Sequence, residues 1–204
     1  MTTRIEREFS FQAGVYFKDS FAMNLYDFSV CMNVETDSIR EQNVAMERIK
    51  YFVSEHLENS IFIEASEQKM IDKYISCGFK VCTIPEEPYD QMITTMLLVK
   101  LNSITEGRLE ITDIALGTRL SDDVRFLFDC ETELGPFDKE DWWTDPSVRM
   151  TSMPRTQNKK DKIVQIFKTT ATDWNDLNLG WKEKGMSLSD HSEISFISSD
   201  LPVK

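Results

Sequence analysis

Two stretches near the start of the chain alternate between apolar and polar residues. In residues 5–17 and again in residues 26–34, apolar side chains fall at every second position. Successive side chains of an extended chain point to opposite faces, so this period predicts two strands that are each buried on one face. The segment KDSFAMN between them is the predicted connection, and both strands are expected to lie in an antiparallel sheet.

The pattern then takes the period of a helix. Ser38 and Glu41 form a capping box, in which the serine hydroxyl accepts an early amide hydrogen and the glutamate reaches back to the cap. From Ala45 to Leu57 the apolar residues follow one helical stripe. The sequence therefore predicts a first helix over residues 38–57.

The next part of the chain alternates short extended pieces with helices. Residues 61–63 and 79–85 predict short strands, and residues 66–77 predict a second helix. Residues 91–104 combine strand-forming Thr, Val and Ile with apolar positions spaced i, i+4, i+8 and i+11. That spacing favours a third helix, and Pro88 suits its first turn.

Two further strands complete the predicted domain. Residues 108–120 predict a strand with a bulge near Asp113, where the alternation shifts. Residues 121–123 predict a hairpin turn, and residues 124–130 predict the closing strand. The order of elements predicts an α+β domain over residues 1–133, with an antiparallel sheet and helices on one face.

The remaining residues, 134–204, are polar and show no sustained period, so they predict an extended C-terminal arm. Aromatic residues along a polar chain indicate docking onto a surface. Two interpretations stay open at this point, because the surface is either that of a partner or that of the chain's own domain. The candidate partner-docking residues are Trp142, Trp143, Trp174 and Trp181.

Composition narrows the classes of function. The net charge is −12, which disfavours binding of nucleic acid because contact with phosphates requires a basic patch. An acidic protein that mimics nucleic acid stays a weaker alternative. Four cysteines without the spacing of a metal site predict a reducing compartment. The first residues lack the apolar region of a signal peptide, and no apolar run is long enough to span a membrane, so a cytoplasmic location is expected.

Candidate chemistry rests on carboxylates, since the chain has no phosphate-binding loop or hydrolase motif and only two histidines, His56 and His191. Glu87 and Asp90 lie in the segment TIPEEPYDQM and could share a pocket with Asp113. A carboxylate can accept two parallel N–H bonds from the amidine-like edge of a purine or a pterin. The alternative is that the acids of this segment are exposed at a helix start, where they favour the helix dipole.

Four short strings of the chain resemble the motifs of a known family. They are FQAGV (11–15), AMNLYDFSV (22–30), PYDQMI (88–93) and LEITD (109–113). With the order of elements, they resemble the tunnelling fold (T-fold), and within it the 6-pyruvoyl-tetrahydropterin and 6-carboxytetrahydropterin synthases. The chain also resembles uncharacterised proteins of large tailed phages, which would place it in the host cytoplasm.

The departures from the family bear most on function. The synthases hold zinc with three histidines, and the matching positions here are Val15, Ala22 and Asn24. Gln91 replaces a glutamate, and Asp113 stands where the family anchors its pterin. The resemblance therefore implies a T-fold without the zinc site, and we expect no metal, no cofactor and no catalytic residue. Gln91 and Asp113, with Glu87 and Asp90, are the candidate ligand-binding residues.

Three hypotheses for function follow. The first is a non-catalytic domain that self-associates and contacts a protein partner through its C-terminal arm, because open sheet edges tend to be completed by neighbours. This hypothesis expects the domain to stay folded after truncation at Asp129. The second is a protein or zinc-independent enzyme that binds a purine-like or pterin-like ligand near Gln91 and Asp113. The third is an acidic inhibitor that mimics nucleic acid.

Overall fold

A hairpin of two long strands, β1 (Thr3–Phe17) and β2 (Ser20–Val34), forms the centre of a six-stranded sheet. The structure is a computed structural model that describes residues 3–121, 124–129, 131–151 and 173–182. The later elements are α1 (Ile39–Tyr51) with a π-helical continuation (Phe52–Leu57), β3 (Ser60–Glu64), α2 (Gln68–Ser76), β4 (Lys80–Ile84), α3 (Asp90–Thr105), β5 (Leu109–Thr118) and β6 (Arg125–Asp129).

The strands lie in the order β4-β3-β1-β2-β5-β6. The pairs β1–β2, β2–β5 and β5–β6 are antiparallel, as the alternation predicted, and the α+β class is confirmed. The pairs β1–β3 and β3–β4 are parallel, which the sequence did not predict. β3 and β4 are almost fully buried, and a strand buried on both faces lacks the alternation that marks an antiparallel strand.

The helices cover both faces of the sheet, whereas the sequence predicted helices on one face. α1 and α3 pack with the inward residues of β1 and β2 in the main core. α2 packs on the opposite face, where Ile71 lies in a second cluster with Tyr16 and Ile61. The parallel β3–α2–β4 unit therefore widens the sheet beyond β1 and buries its other face there.

Two local features of the backbone, the β1–β2 turn and a bulge in β5, determine which face of the sheet the candidate ligand-binding side chains lie on. Lys18 and Asp19 alone connect β1 to β2, both with positive φ, so the predicted connection KDSFAMN is mostly strand. In β5, Cys31 of β2 pairs with Asp113 and the next residue pairs with Ile111, which leaves Thr112 as a bulge. The predicted bulge is thus present, and it turns the side chains that follow it to the other face of the sheet.

The tryptophans pack on the chain's own domain, which is one of the two interpretations that the sequence left open. Trp142, Trp143 and Trp174 are buried in the main core of the same chain. Their indole N–H groups donate to main-chain carbonyl oxygens, such as that of Thr83 from Trp142 at 2.8 Å. Trp181 packs against the same core. Residues 134–151 and 173–182 therefore complete the domain, and the rest of the predicted arm lies outside the described residues.

A buried lysine on α3 holds the first of these C-terminal segments. Lys100 is fully buried, and its ammonium donates to the carbonyl oxygens of Trp142, Asp145 and Ser147 at 2.8, 2.6 and 2.6 Å. Burial lowers the pKa of Lys100 to about 7, and the nearby carboxylate of Asp145 opposes this shift. Only the protonated amine has three hydrogens to donate, so the three carbonyls favour the charged form.

A buried arginine on α1 holds the second segment. Arg48 donates from Nε to the carbonyl oxygen of Leu179 at 2.8 Å, and from Nη1 to Glu106 at 2.6 Å. Its guanidinium carbon lies 3.7 Å from the ring centre of Trp181 and 4.8 Å from that of Trp174. Burial lowers the pKa of Arg48, while the carboxylate of Glu106 raises it. Each C-terminal segment is thus tied to one long helix by a buried cation.

Replacing Lys100 with methionine tests this connection. Lys100→Met keeps an unbranched side chain but leaves three carbonyl oxygens without their donor, so we expect the free energy of unfolding to fall by about 3 kcal/mol or more. Urea denaturation followed by tryptophan fluorescence measures the change. The matched control is Lys50→Met on α1, where the lysine is half-exposed and pairs with Glu47. The control should change stability by less than about 0.5 kcal/mol, and an equal effect of both substitutions would contradict the proposed role of Lys100.

Candidate functional site

An open cavity of about 400 Å³ lies at the end of the β1–β2 hairpin. Its floor comes from β1 and β2, one wall from the start of α3, and the other wall from the β5–β6 connection. The volume lies within the range of small-molecule sites. The lining residues are Val15, Phe17, Ser20, Ala22, Asn24, Tyr26, Pro88, Tyr89, Asp90, Gln91, Leu120 and Phe126.

The register of the hairpin brings the floor residues together. Val15 pairs directly with Ala22, and Ala13 pairs with Asn24. Because side chains alternate along a strand, these residues share the face of the sheet that carries α1 and α3. The two-residue turn makes this register possible, since it extends β2 back to Ser20. The three positions that match the zinc histidines of the synthases therefore do lie side by side.

Two polar side chains lie deep in the floor of the cavity. Asn24 is 4% exposed and Tyr26 is fully buried. Neither Asn24 Oδ1 nor the Tyr26 hydroxyl has a hydrogen-bond partner among the residues that the structure describes. Burial raises the pKa of Tyr26, the Asn24 side chain lowers it and the charge of Asp90 raises it, so the hydroxyl stays protonated at neutral pH. Buried polar groups without partners are rare and are typical of sites that await a ligand or water.

The wall at the start of α3 presents an acid and an amide. Asp90 is the first residue of α3, and its Oδ2 accepts hydrogen bonds from Thr118 and Ser121 on the opposite wall. Thr118 and Ser121 are also bonded to each other at 3.0 Å. Gln91 is exposed at the surface of the cavity. Asp90 therefore joins the two walls while its charge faces the cavity.

Apolar and aromatic residues surround the mouth. The rings of Phe17 and Tyr89 lie 5.2 Å apart at an angle of 60°. Leu120, on a short 3₁₀ turn (Arg119–Ser121), is 62% exposed, and Phe126 of β6 completes this side. The cavity thus combines a mostly apolar lining with a few convergent polar groups, which is the usual composition of a small-molecule site.

The structure brings together only some of the four residues that the sequence predicted for ligand binding. Asp90 and Gln91 line the cavity. Glu87 lies just outside, where its carboxylate accepts a hydrogen bond from the Tyr89 hydroxyl. Asp113 lies on the opposite face of the sheet and forms an ion pair with Arg4 at 2.6 Å. The expectation that Asp113 shares a pocket with Gln91 is therefore corrected, and the reason is the bulge at position 112.

Asn24 and Tyr26 line the cavity, although neither was predicted from the sequence as a ligand-binding residue. Tyr26 belongs to the apolar alternation of β2, where a tyrosine is indistinguishable from a core residue. Asn24 is easier to recognise from the sequence as a site residue. The alternation of β2, continued toward the turn, places its side chain inward, and a polar residue is unusual at such a position. Tyr89, Leu120 and Phe126 were also missed, since their placement depends on how α3 and the β5–β6 connection meet.

The residues present do not fit the zinc ion of the synthase family. Val15 and Ala22 have no donor atom, and Asn24 offers only a neutral amide, whereas zinc is held by Cys, His or carboxylate ligands. Within the described ranges, no three His, Cys, Asp or Glu residues lie close enough together to hold a metal ion. Also within those ranges, no helix is long and apolar enough to cross a membrane.

Comparisons with known proteins reach the level of the fold. No family model matches the sequence, and no curated protein matches it significantly. Among solved structures, an uncharacterised protein of Wolinella succinogenes aligns with a TM-score of 0.45 and 10% identity, over 64% of this chain and 99% of that one. The 6-pyruvoyl tetrahydropterin synthase of Plasmodium vivax aligns with a TM-score of 0.42 and 10% identity, over 63% and 97% of the two chains. The chain thus resembles the T-fold synthases whose motifs the sequence suggested, and nothing about ligand or activity follows from that similarity.

Proposed function

We propose that this protein binds a small, flat heteroaromatic ligand of the purine or pterin class in the cavity at the end of the β1–β2 hairpin. The observation that carries the proposal is the pair of buried polar groups, Asn24 Oδ1 and the Tyr26 hydroxyl, in an apolar cavity. A buried polar atom without a partner costs about 1–3 kcal/mol. A ligand that bonds to both atoms would recover this free energy.

The shape and chemistry of the lining favour a ring with both donors and acceptors. Phe17 and Tyr89 supply aromatic surface near the mouth, and aromatic rings stack well on flat bases. The amide of Asn24 can accept and donate at once, which matches the adjacent donor and acceptor of a purine or pterin edge. Asp90 and Gln91 supply further hydrogen-bonding groups on the α3 wall.

The described lining supports binding rather than a chemical step. It contains no histidine, cysteine or lysine, so the hydroxyl of Ser20 has no histidine or lysine beside it in the lining to activate it as a nucleophile. Asp90 is the single titratable acid, and its Oδ2 is engaged by Thr118 and Ser121. We therefore propose a binding protein, in line with the expectation of a non-catalytic T-fold.

Binding of neopterin and guanosine tests the proposal. Isothermal titration and thermal shift should show binding of at least one of these compounds to the full chain. Asn24→Leu and Tyr26→Phe should weaken it by tenfold or more, because each removes one bonding group from the cavity floor. Both variants should remain folded, since each replaces the side chain with an apolar one of similar size.

The control for this experiment is Asp113→Asn, which removes the charge that pairs with Arg4 on the other face of the sheet. It should leave affinity unchanged. Loss of binding in Asp113→Asn but not in Asn24→Leu would favour the site that the sequence predicted. Absence of binding to every pterin and purine tested would overturn the proposed function.

Self-association is a second proposed property, and one feature of β6 favours it. β6 is the last strand of the sheet, and Leu127 on it is 76% exposed, with Val124 just before it 51% exposed. A sheet edge with exposed apolar side chains is suited to pairing with another chain. A protein partner and a mimic of nucleic acid stay predictions from the sequence, without a feature of the described structure in their favour.

A charge placed on this edge tests self-association. We expect the native chain to form an oligomer in sedimentation velocity, and Leu127→Glu to shift it to a monomer, because a carboxylate at the edge disfavours apolar contact. The matched control is Ile75→Glu on α2, a half-exposed apolar residue elsewhere on the surface. A native chain that is monomeric at all concentrations, or two variants that behave alike, would contradict the proposal.

A further inference from the structure

We propose that the cavity selects ligands that carry no phosphate or carboxylate group, so that it takes a free base or nucleoside and rejects the corresponding nucleotide. This inference rests on the proposed function, and it defines which members of the purine and pterin class can enter. The observation behind it is the charge distribution around the cavity rather than its shape.

The charge of the lining has one sign. Of the twelve lining residues that the structure describes, only Asp90 carries a formal charge at neutral pH, and no lysine or arginine is among these twelve. Hydrogen bonds from Thr118 and Ser121 hold the Asp90 carboxylate in place between the two walls. An anionic group that enters the cavity therefore meets a fixed negative charge.

The neutral donors of the lining do not replace a cation. The amides of Asn24 and Gln91 and the hydroxyls of Ser20 and Tyr26 can each donate to an oxygen. Removing an ionised group from water is far more unfavourable than removing a neutral polar group, and it requires a countercharge. These donors therefore suit the carbonyl and ring nitrogen atoms of a base. The N-terminal end of α3 also lines the cavity, and a helix N-terminus favours an anion, but its first residue here is Asp90, whose own carboxylate occupies that favourable position.

The cations nearest in sequence to the lining have other surroundings. The ammonium of Lys18 lies 4.6 Å from the ring centre of Phe17, and Lys18 is followed directly by Asp19. Arg119 is exposed and precedes Leu120, and Glu87 lies just outside the cavity before Pro88. Arg125 is exposed and precedes Phe126 on β6, where the alternation of side chains places it on the other face of the strand, beside Gly117. The rim thus carries charges of both signs, whereas the charge among the described lining residues is the negative charge of Asp90.

A series of guanosine and its phosphates tests the inference. Titration of the full chain with guanosine, guanosine 5′-monophosphate and guanosine 5′-diphosphate should show at least a tenfold loss of affinity for the monophosphate and a further loss for the diphosphate. Asp90→Asn should reduce the ratio of guanosine to monophosphate affinity, since asparagine keeps the shape and removes the charge. Gln91→Glu should increase that ratio, because it adds a second carboxylate to the same wall.

The outcomes separate this inference from the proposed function. Equal or tighter binding of the monophosphate overturns the inference while it leaves the proposed function intact, and loss of that binding in Lys18→Ala would assign the phosphate to the rim. Absence of binding to guanosine, neopterin and their phosphates overturns the proposed function, and the inference with it. A ratio that is unchanged in both Asp90→Asn and Gln91→Glu overturns the role given to the charge of the lining.

Discussion

The ammonium of Lys100 lies inside the molecule, where an unsolvated charge would be strongly unfavourable. Three carbonyl oxygens of the segment 142–147 take the place of water around it. Arg48 on the neighbouring helix α1 is a second buried cation. The carbonyl of Leu179, the carboxylate of Glu106 and two indole rings surround its guanidinium. Since the C-terminal segments supply partners to both buried cations, the domain extends past the boundary predicted at residue 133 and includes residues 134–151 and 173–182.

The contacts of Lys100 also help to fix the helix that forms one wall of the cavity. α3 is buried on nearly all sides, between the sheet and the C-terminal segment that Lys100 holds. The N-terminal end of the same helix carries Asp90 and Gln91 into the cavity wall. The C-terminal segments therefore help to fix the helix that presents the ligand-facing groups, although none of their residues lines the cavity. Val15, Ala22 and Asn24 form part of the floor of this cavity, and none of the three supplies a usual zinc ligand.

Local patterns predicted the elements well and the long-range placements poorly. The alternation of β1 and β2, the serine cap at Ser38 and the bulge beside Asp113 are all local, and each is present. The second half of the predicted capping box differs, because the Ser38 amide donates to the Thr36 hydroxyl and Glu41 accepts from that same hydroxyl. The face to which Asp113 points depends on a single extra residue, and one residue of register exchanges the two faces of a strand. The tryptophans were ambiguous for a related reason. Whether an aromatic residue on a polar segment packs on its own domain is decided by distant partners such as Lys100 and Arg48, which resemble ordinary surface residues in the sequence.

Residues beyond the last strand are part of the folded core, and truncation after Asp129 tests this directly. The truncated chain would lack C-terminal partners of Lys100 and Arg48 and the core side chains of Trp142, Trp143 and Trp174. We expect it to lose the cooperative thermal transition that the full chain shows in circular dichroism. If the truncated chain instead unfolds cooperatively at the same temperature as the full chain, these residues are not part of the core, and residues 134–204 are a separate arm.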